Sequence, residues 1–152
     1  SVAILLSSAF ETAWEANLLF ALRQHSALLS ELIAEVESEI VGHIAFSEVT
    51  GCDGLRLAGL APVAVAPEHQ GWGIGSALIK QGLKECHKLG YDGIVLIGDP
   101  GYYSRFGFLP GSKFGLRSNF DLPEEAFQVY WYHPVENKLD CTVRYNPLFY
   151  QS

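Results

Sequence analysis

Leu5, Leu6, Ala9, Phe10, Ala13, Leu18, Leu19 and Leu22 recur at helical spacing, predicting one or two amphipathic helices over residues 1–25. The period then changes. Leu32, Ile33, Ala34 and Val36 lead into the polar Glu37-Ser38-Glu39, and Ile40, Val41, Ile44, Ala45, Phe46 and Val49 follow, which is the pattern of a hairpin. Gly51, Asp53 and Gly54 break it. Residues 55–66 are again extended and apolar, interrupted by Gly59 and Pro62. Because proline cannot donate to a ladder, this strand is expected to lie at a sheet edge or to carry a bulge.

A glycine-rich stretch, Glu68-His69-Gln70-Gly71-Trp72-Gly73-Ile74-Gly75, precedes a helix in which Leu78, Ile79, Gly82, Leu83, Cys86 and Leu89 share one face until Gly90. Ile94-Val95-Leu96-Ile97 reads as a short buried strand, so the two strands flanking the helix should run parallel. Gly98-Asp99-Pro100-Gly101 turns the chain, residues 102–105 suit a short helix ended by Gly107, and residues 127–132 and 141–145 read as the last two strands. There is no internal repeat or linker, and 152 residues suit a single domain.

Charge alters the picture more than composition does. Seventeen acids against ten bases give a net charge of -7, the wrong sign for gripping a phosphate backbone, so nucleic acid is excluded as a partner. Eight of the acids lie at or before Asp53, where Arg23 is the only Lys or Arg; this acidic third could attract a cation, or be a solvated strand edge and hairpin. Cys52, Cys86 and Cys141 have no metal-ligand spacing and read as reduced thiols of a cytoplasmic protein. No metal site and no membrane span is expected, and the opening lacks the basic start of a signal peptide.

The chemistry concentrates in the glycine loop. Backbone N–H groups at a helix N-terminus, with the helix dipole behind them, solvate a phosphate without a basic side chain, although the same glycines could simply make a tight strand-to-helix connection. A Walker loop is excluded because no Gly-Lys-Ser/Thr follows. A dinucleotide loop fits poorly, lacking its third glycine, although Asp92 lies at a suitable distance for a ribose contact.

The run Val63-Ala64-Val65-Ala66-Pro67-Glu68-His69-Gln70-Gly71-Trp72-Gly73-Ile74-Gly75-Ser76-Ala77-Leu78 resembles the acetyl-CoA signature of the GCN5-related N-acetyltransferase (GNAT) family, with its QxxGxG core. Tyr103-Ser104-Arg105-Phe106-Gly107-Phe108 is similar to the family's later YxKxGF block. The resemblance implies an α/β (α+β) acyl-CoA N-acyltransferase fold, a mixed and mostly antiparallel sheet with flanking helices and one splayed strand pair. It implies an N-acetyltransferase using acetyl-CoA as co-substrate, in which a primary amine attacks directly in a ternary complex. On the matching positions, the backbone of Val63, Ala64 and Val65 would meet the pantetheine arm, and Gln70, Gly71, Trp72, Gly73, Ile74, Gly75 and Ser76 would hold the pyrophosphate, with Arg105 also near the cofactor. Tyr103 would protonate the departing thiolate.

The family normally opens with a strand that nothing ahead of Ala3 can supply, which leaves either a trimmed N-terminus or a six-stranded variant. No family motif names the general base. Glu48, Asp99 and His43 are the candidates, against the alternatives that Glu48 faces solvent and Asp99 holds its turn. His69 could touch phosphate or play no direct part, Trp72 could cover adenine, and Lys80, Lys84 and Lys88 read as a solvated helix face. Tyr130, Trp131 and Tyr132 suit core and acceptor-pocket wall, and Cys86 suits the core. The acceptor is a small-molecule or protein amine, and a homodimer is left open. Two other functions compete: a non-catalytic acyl-CoA sensor, and an oxidoreductase built on the Asp92 reading.

Overall fold

The structure, a computed structural model, describes residues 28–71, 73–136 and 138–145. The predicted N-terminal helices and Trp72 lie outside these residues. The described chain forms two compact units, one of residues 28–47 and 60–85, the other of residues 48–59 and 86–145.

In the first unit, β1 (Leu28–Val36) and β2 (Glu39–Val49) make the predicted antiparallel hairpin, from Val36↔Glu39 to Leu28↔Ser47. Glu37 and Ser38 turn it with φ of 51° and 71°, the left-handed pair that matches strand twist in a two-residue loop. The strand order is β1-β2-β3, and α1 (Ile74–Lys88) packs on β2. Val41, Ile44, Phe46, Leu78, Ile79 and Leu83 are buried, while Lys80 and Lys84 are exposed, as the helical spacing predicts. A Cβ on Gly82 would collide with the Phe46 ring, and one on Gly42 would stand 2.8 Å from Ile74 and 2.9 Å from Leu78.

In the second unit the order is β3-β4-β7-β5. β3 (Leu57–Val65), whose residues 57–59 belong here and 60–65 to the first unit, pairs in parallel with β4 (Gly93–Ile97) through Leu57↔Gly93, Ala58↔Ile94 and Gly59↔Val95. β4 pairs antiparallel with β7 (Phe127–Trp131), and β7 with the two-residue β5 (Leu109–Pro110). The connection from β4 carries α2 (Pro100–Tyr103) and a 3-10 turn ended by Gly107 at φ 99°. β6 (Leu116–Ser118) and β8 (Cys141–Val143) form a separate parallel pair. At the end of α1, Gly90 (φ 87°) donates to His87 O and Tyr91 to Cys86 O, a Schellman cap with buried Cys86 and Tyr91 at its apolar contact.

Four expectations are corrected. Cys52 and Cys141 form a disulfide across 89 residues of chain, because Thr50 and Arg144 bridge the two segments and bring the thiols together; Cys86 is buried and outside the disulfide. Pro62 lies in a strand that is internal in the sheet order rather than at its edge, beyond the end of the described ladder with β4 at Gly59. Leu89 is 48% exposed because the cap begins there and turns it off the buried face. β5 and β6 were not foreseen, being too short to show an alternating pattern.

Gly82→Ala should destabilise the protein despite the gain in helix propensity of about 1 kcal/mol. Forcing a methyl against a ring with no exposed surface costs about 1–3 kcal/mol. Urea unfolding should show a lower midpoint with an unchanged m value.

Candidate active site

The loop between β3 and α1 is held by short-range bonds. Ala66 N donates to Val41 O (2.7 Å), His69 N to Ala66 O (2.9 Å), and the Gln70 side-chain amide to Val65 O (3.0 Å). Pro67–His69 make one 3-10 turn, Gln70 is extended, and Gly71 and Gly73 have φ of 90° and 80°. Those two glycines are needed for backbone conformation, since a Cβ on either would meet nothing within 4 Å. The loop is therefore open on that side. The first intrahelical bond of α1 is Ala77 N to Gly73 O, so the helix offers no acceptor to the N–H groups of Ile74, Gly75 and Ser76. No acidic residue stands in that first turn to compete with an anion.

The Ala66 N–H points to β2, so by strand alternation the backbone groups of Val65 and Val63 point away from β2. Val65 O is engaged by Gln70, and Ala64 is buried. His69 is half-buried, with Nδ1 3.9 Å from the Glu68 carboxylate.

In the second unit, Asp99 caps α2. Its Oδ1 accepts from Gly101 N at 2.9 Å, and its carbonyl accepts from both Tyr102 N and Tyr103 N at 3.1 Å. Pro100 follows at the first helical position, where its missing donor does no harm. The Tyr103 ring lies on Gly98, edge-on to Tyr102 at 4.9 Å and to Phe108 at 6.0 Å. Burial, reinforced by Tyr102, raises the Tyr103 phenol above its ordinary 10.0, so it is a neutral proton donor at neutral pH. Arg105 donates from Nε to Tyr102 O at 2.9 Å and covers the Tyr102 ring, which ties it to this turn.

The three candidate bases differ sharply in setting. Glu48 is exposed near the end of β2, and its charge adds to the burial that raises the neighbouring Tyr91 phenol. Asp99 is exposed and spends one oxygen on its cap. His43 is fully buried, its Nε2 2.8 Å from Glu31 Oε1.

Asp92 serves a different purpose from ribose binding. It accepts from Arg56 N (2.7 Å) and bonds to His133 Nε2 (2.9 Å), while the Arg56 guanidinium donates to Leu89 O (3.1 Å). The carboxylate that suggested a dinucleotide is thus committed to joining the starts of β3 and β4. Composition did not point to Gln128, a buried amide that donates to Gly98 O at 3.1 Å; only a polar residue between the apolar Phe127 and Val129 marked it.

Residues 2–108 match the acetyltransferase (GNAT) family. The chain belongs to this family. An uncharacterized N-acetyltransferase of Escherichia coli K12, YhbS, is 39% identical over 129 residues, covering 83% of this chain and 77% of that one. The crystal structure of E. coli YhbS in complex with CoA matches with a TM-score of 0.89 at 33% identity, over 99% of this chain and 85% of that one. A GNAT acetyltransferase of Brucella melitensis in complex with acetyl-CoA matches with a TM-score of 0.77 at 34% identity, over 97% and 88%. The expected GNAT fold, with its mixed sheet, is therefore the fold found. Among the described residues of this GNAT enzyme, no helix is long and apolar enough to cross a membrane, and no group of His, Cys, Asp and Glu could hold a metal ion.

The Arg56 N–H holds the Asp92 carboxyl below its ordinary 3.8, burial opposes this, and His133 adds to the lowering. The Asp92 bond in turn raises His133 above 6.5. A lowered carboxyl stabilises above its unfolded pKa and loses that contribution as pH falls through the lowered value. A raised imidazole stabilises fully below 6.5 and loses its contribution as pH rises through the raised value. Asp92→Asn should therefore destabilise most between about pH 4 and 6.5 and less at pH 8, by urea unfolding. NMR should show His133 of the variant titrating near 6.5.

Proposed function

We propose that this single GNAT domain transfers an acetyl group from acetyl-CoA to a primary amine by direct attack in a ternary complex. The observation that carries the reading is the open glycine loop at the acid-free N-terminus of α1, a setting for a pyrophosphate made of neutral donors. The CoA and acetyl-CoA complexes of its relatives support the same ligand here.

The backbone amides of Gly71, Gly73, Ile74, Gly75 and Ser76 hold the pyrophosphate, the Gln70 N–H being turned back to Pro67 O at 3.4 Å, while the Val63 and Val65 backbone, directed away from β2, lines the pantetheine arm and polarises the thioester carbonyl. The acceptor nitrogen bonds to the carbonyl carbon, and the tetrahedral intermediate collapses by breaking the carbon–sulfur bond. Tyr103 gives its phenolic proton to the departing sulfur, and the new ammonium gives its own to water or to a carboxylate, Glu48 or Asp99. No side chain of the enzyme is acylated. The surplus of acidic residues before Asp53, among them the exposed Glu35, Glu37, Glu39 and Glu48, favours a cationic amine as acceptor. We place the activity in the cytoplasm on the supply of acetyl-CoA alone, since the Cys52–Cys141 disulfide withdraws the support that reduced thiols gave.

Thiol release from acetyl-CoA across a panel of primary amines tests this. Tyr103→Phe should lower kcat by about 10²–10⁴, with CoA still raising Tm as in the wild type. Binding without turnover, and no effect of the substitution, would instead identify a sensor of acyl-CoA. Of Glu48→Gln and Asp99→Asn, the one that removes the acidic limb of kcat/KM against pH is the base; if both keep it, water takes the proton.

A further inference from the structure

We propose that Gln128 is a positioning residue for the transfer reaction, holding the Gly98–Asp99 peptide so that the Tyr103 hydroxyl is presented to the leaving sulfur. The inference rests on the reading of Tyr103 as the acid.

Gln128 sits on β7 opposite Leu96 of β4 and Pro110 of β5, between the buried Phe127 and Val129, and is itself 1% exposed. Packing alone would favour an apolar side chain there, since a primary amide is costly to bury unless its polar atoms are bonded. Its Nε2 donates to Gly98 O at 3.1 Å and, at greater length, to Ala126 O at 3.5 Å. Gly98 N donates to Ala126 O at 3.0 Å. The β4–β7 ladder ends at Ile97↔Phe127, so these bonds hold Gly98 just beyond it, its N–H in the Ile97–Gly98 peptide and its carbonyl in the Gly98–Asp99 peptide.

Beside its ring contacts with Tyr102, Phe106 and Phe108, Tyr103 is located through Gly98 and Asp99. Gly98 is the floor under its ring, where a Cβ would stand 2.6 Å from Cε2 and 3.1 Å from Cδ2. The next residue, Asp99, supplies the carbonyl for Tyr103 N and the side-chain cap for Gly101 N. A rotation of the Gly98–Asp99 peptide would therefore move both the floor and the first turn of α2 together. The Gln128 amide is the side-chain donor that opposes this rotation.

Gln128→Met keeps the length and apolar volume and removes the donor. Thiol release from acetyl-CoA with the amine panel should show kcat lower by about five- to ten-fold and KM for acetyl-CoA unchanged. NMR should show a weakened NOE between the Tyr103 ring and the Gly98 Hα. Gly98→Ala, which pushes on the ring from below, should lower kcat in the same way. In a Tyr103→Phe background both substitutions should have no further effect on kcat, because the group they position is gone. A folded Gln128→Met protein with wild-type kcat and an intact NOE overturns the proposal, as does a loss of equal size in both backgrounds. If Tyr103→Phe itself retains wild-type kcat, the acid assignment fails and the positioning role fails with it; an intact acid assignment with an unmoved NOE sinks the positioning role alone.

Discussion

Helix α1 can lie on β2 only because each element omits a side chain where they meet. Gly82 leaves room for the Phe46 ring and Gly42 leaves room for Ile74 and Leu78, so each glycine receives the bulk of the facing element. Phe46, Ile79 and Ile44 have no exposed surface, and in so dense a contact a helix cannot roll or slide without opening a void. The axis of α1 is thereby set, and with it the direction in which its first-turn N–H groups and dipole point. The loop needs only to deliver the chain to that end, which Gly71 and Gly73 do with left-handed backbone that side chains rarely adopt.

A net charge of -7 is compatible with a polyanionic ligand because the donors at this helix end are peptide groups, whose partial charges belong to the fold rather than to the composition. In the first unit the acidic residues Glu35, Glu37 and Glu39 are exposed along the β1–β2 hairpin and its turn, while Glu31 is partly sheltered beside His43. Asp92 shows how one carboxylate can be removed from ligand chemistry altogether by being tied to Arg56 and His133.

Much of the fold was legible because its elements are long and strongly patterned. The β1–β2 hairpin, β3, α1, β4 and the turn to Tyr103 all lie where periodicity and glycine placed them. What escaped was decided by contacts distant in the chain. Cys52 and Cys141 looked like unrelated thiols, yet the Thr50–Arg144 bridge aligns their segments. Leu89 fell on the apolar spacing, yet the cap at Gly90 carries it off the core. The role of Asp99 was ambiguous because capping and proton transfer call for the same side chain, and the bond to Gly101 N shows only that capping is met.

By itself the sequence determined the family, the order of the longer elements from β1 to β4, the glycine loop and the place of Tyr103, since each rests on local residue patterns that survive whatever packs around them. Tertiary structure alone decided the disulfide, the commitment of Asp92 to the fold and the burial of Gln128 against Gly98. The physical reason is common to all three. A polar or thiol side chain acquires its partner only when strands far apart in sequence are brought into register, and 30 residues separate Gln128 from Gly98, 41 separate His133 from Asp92, and 89 separate the two cysteines.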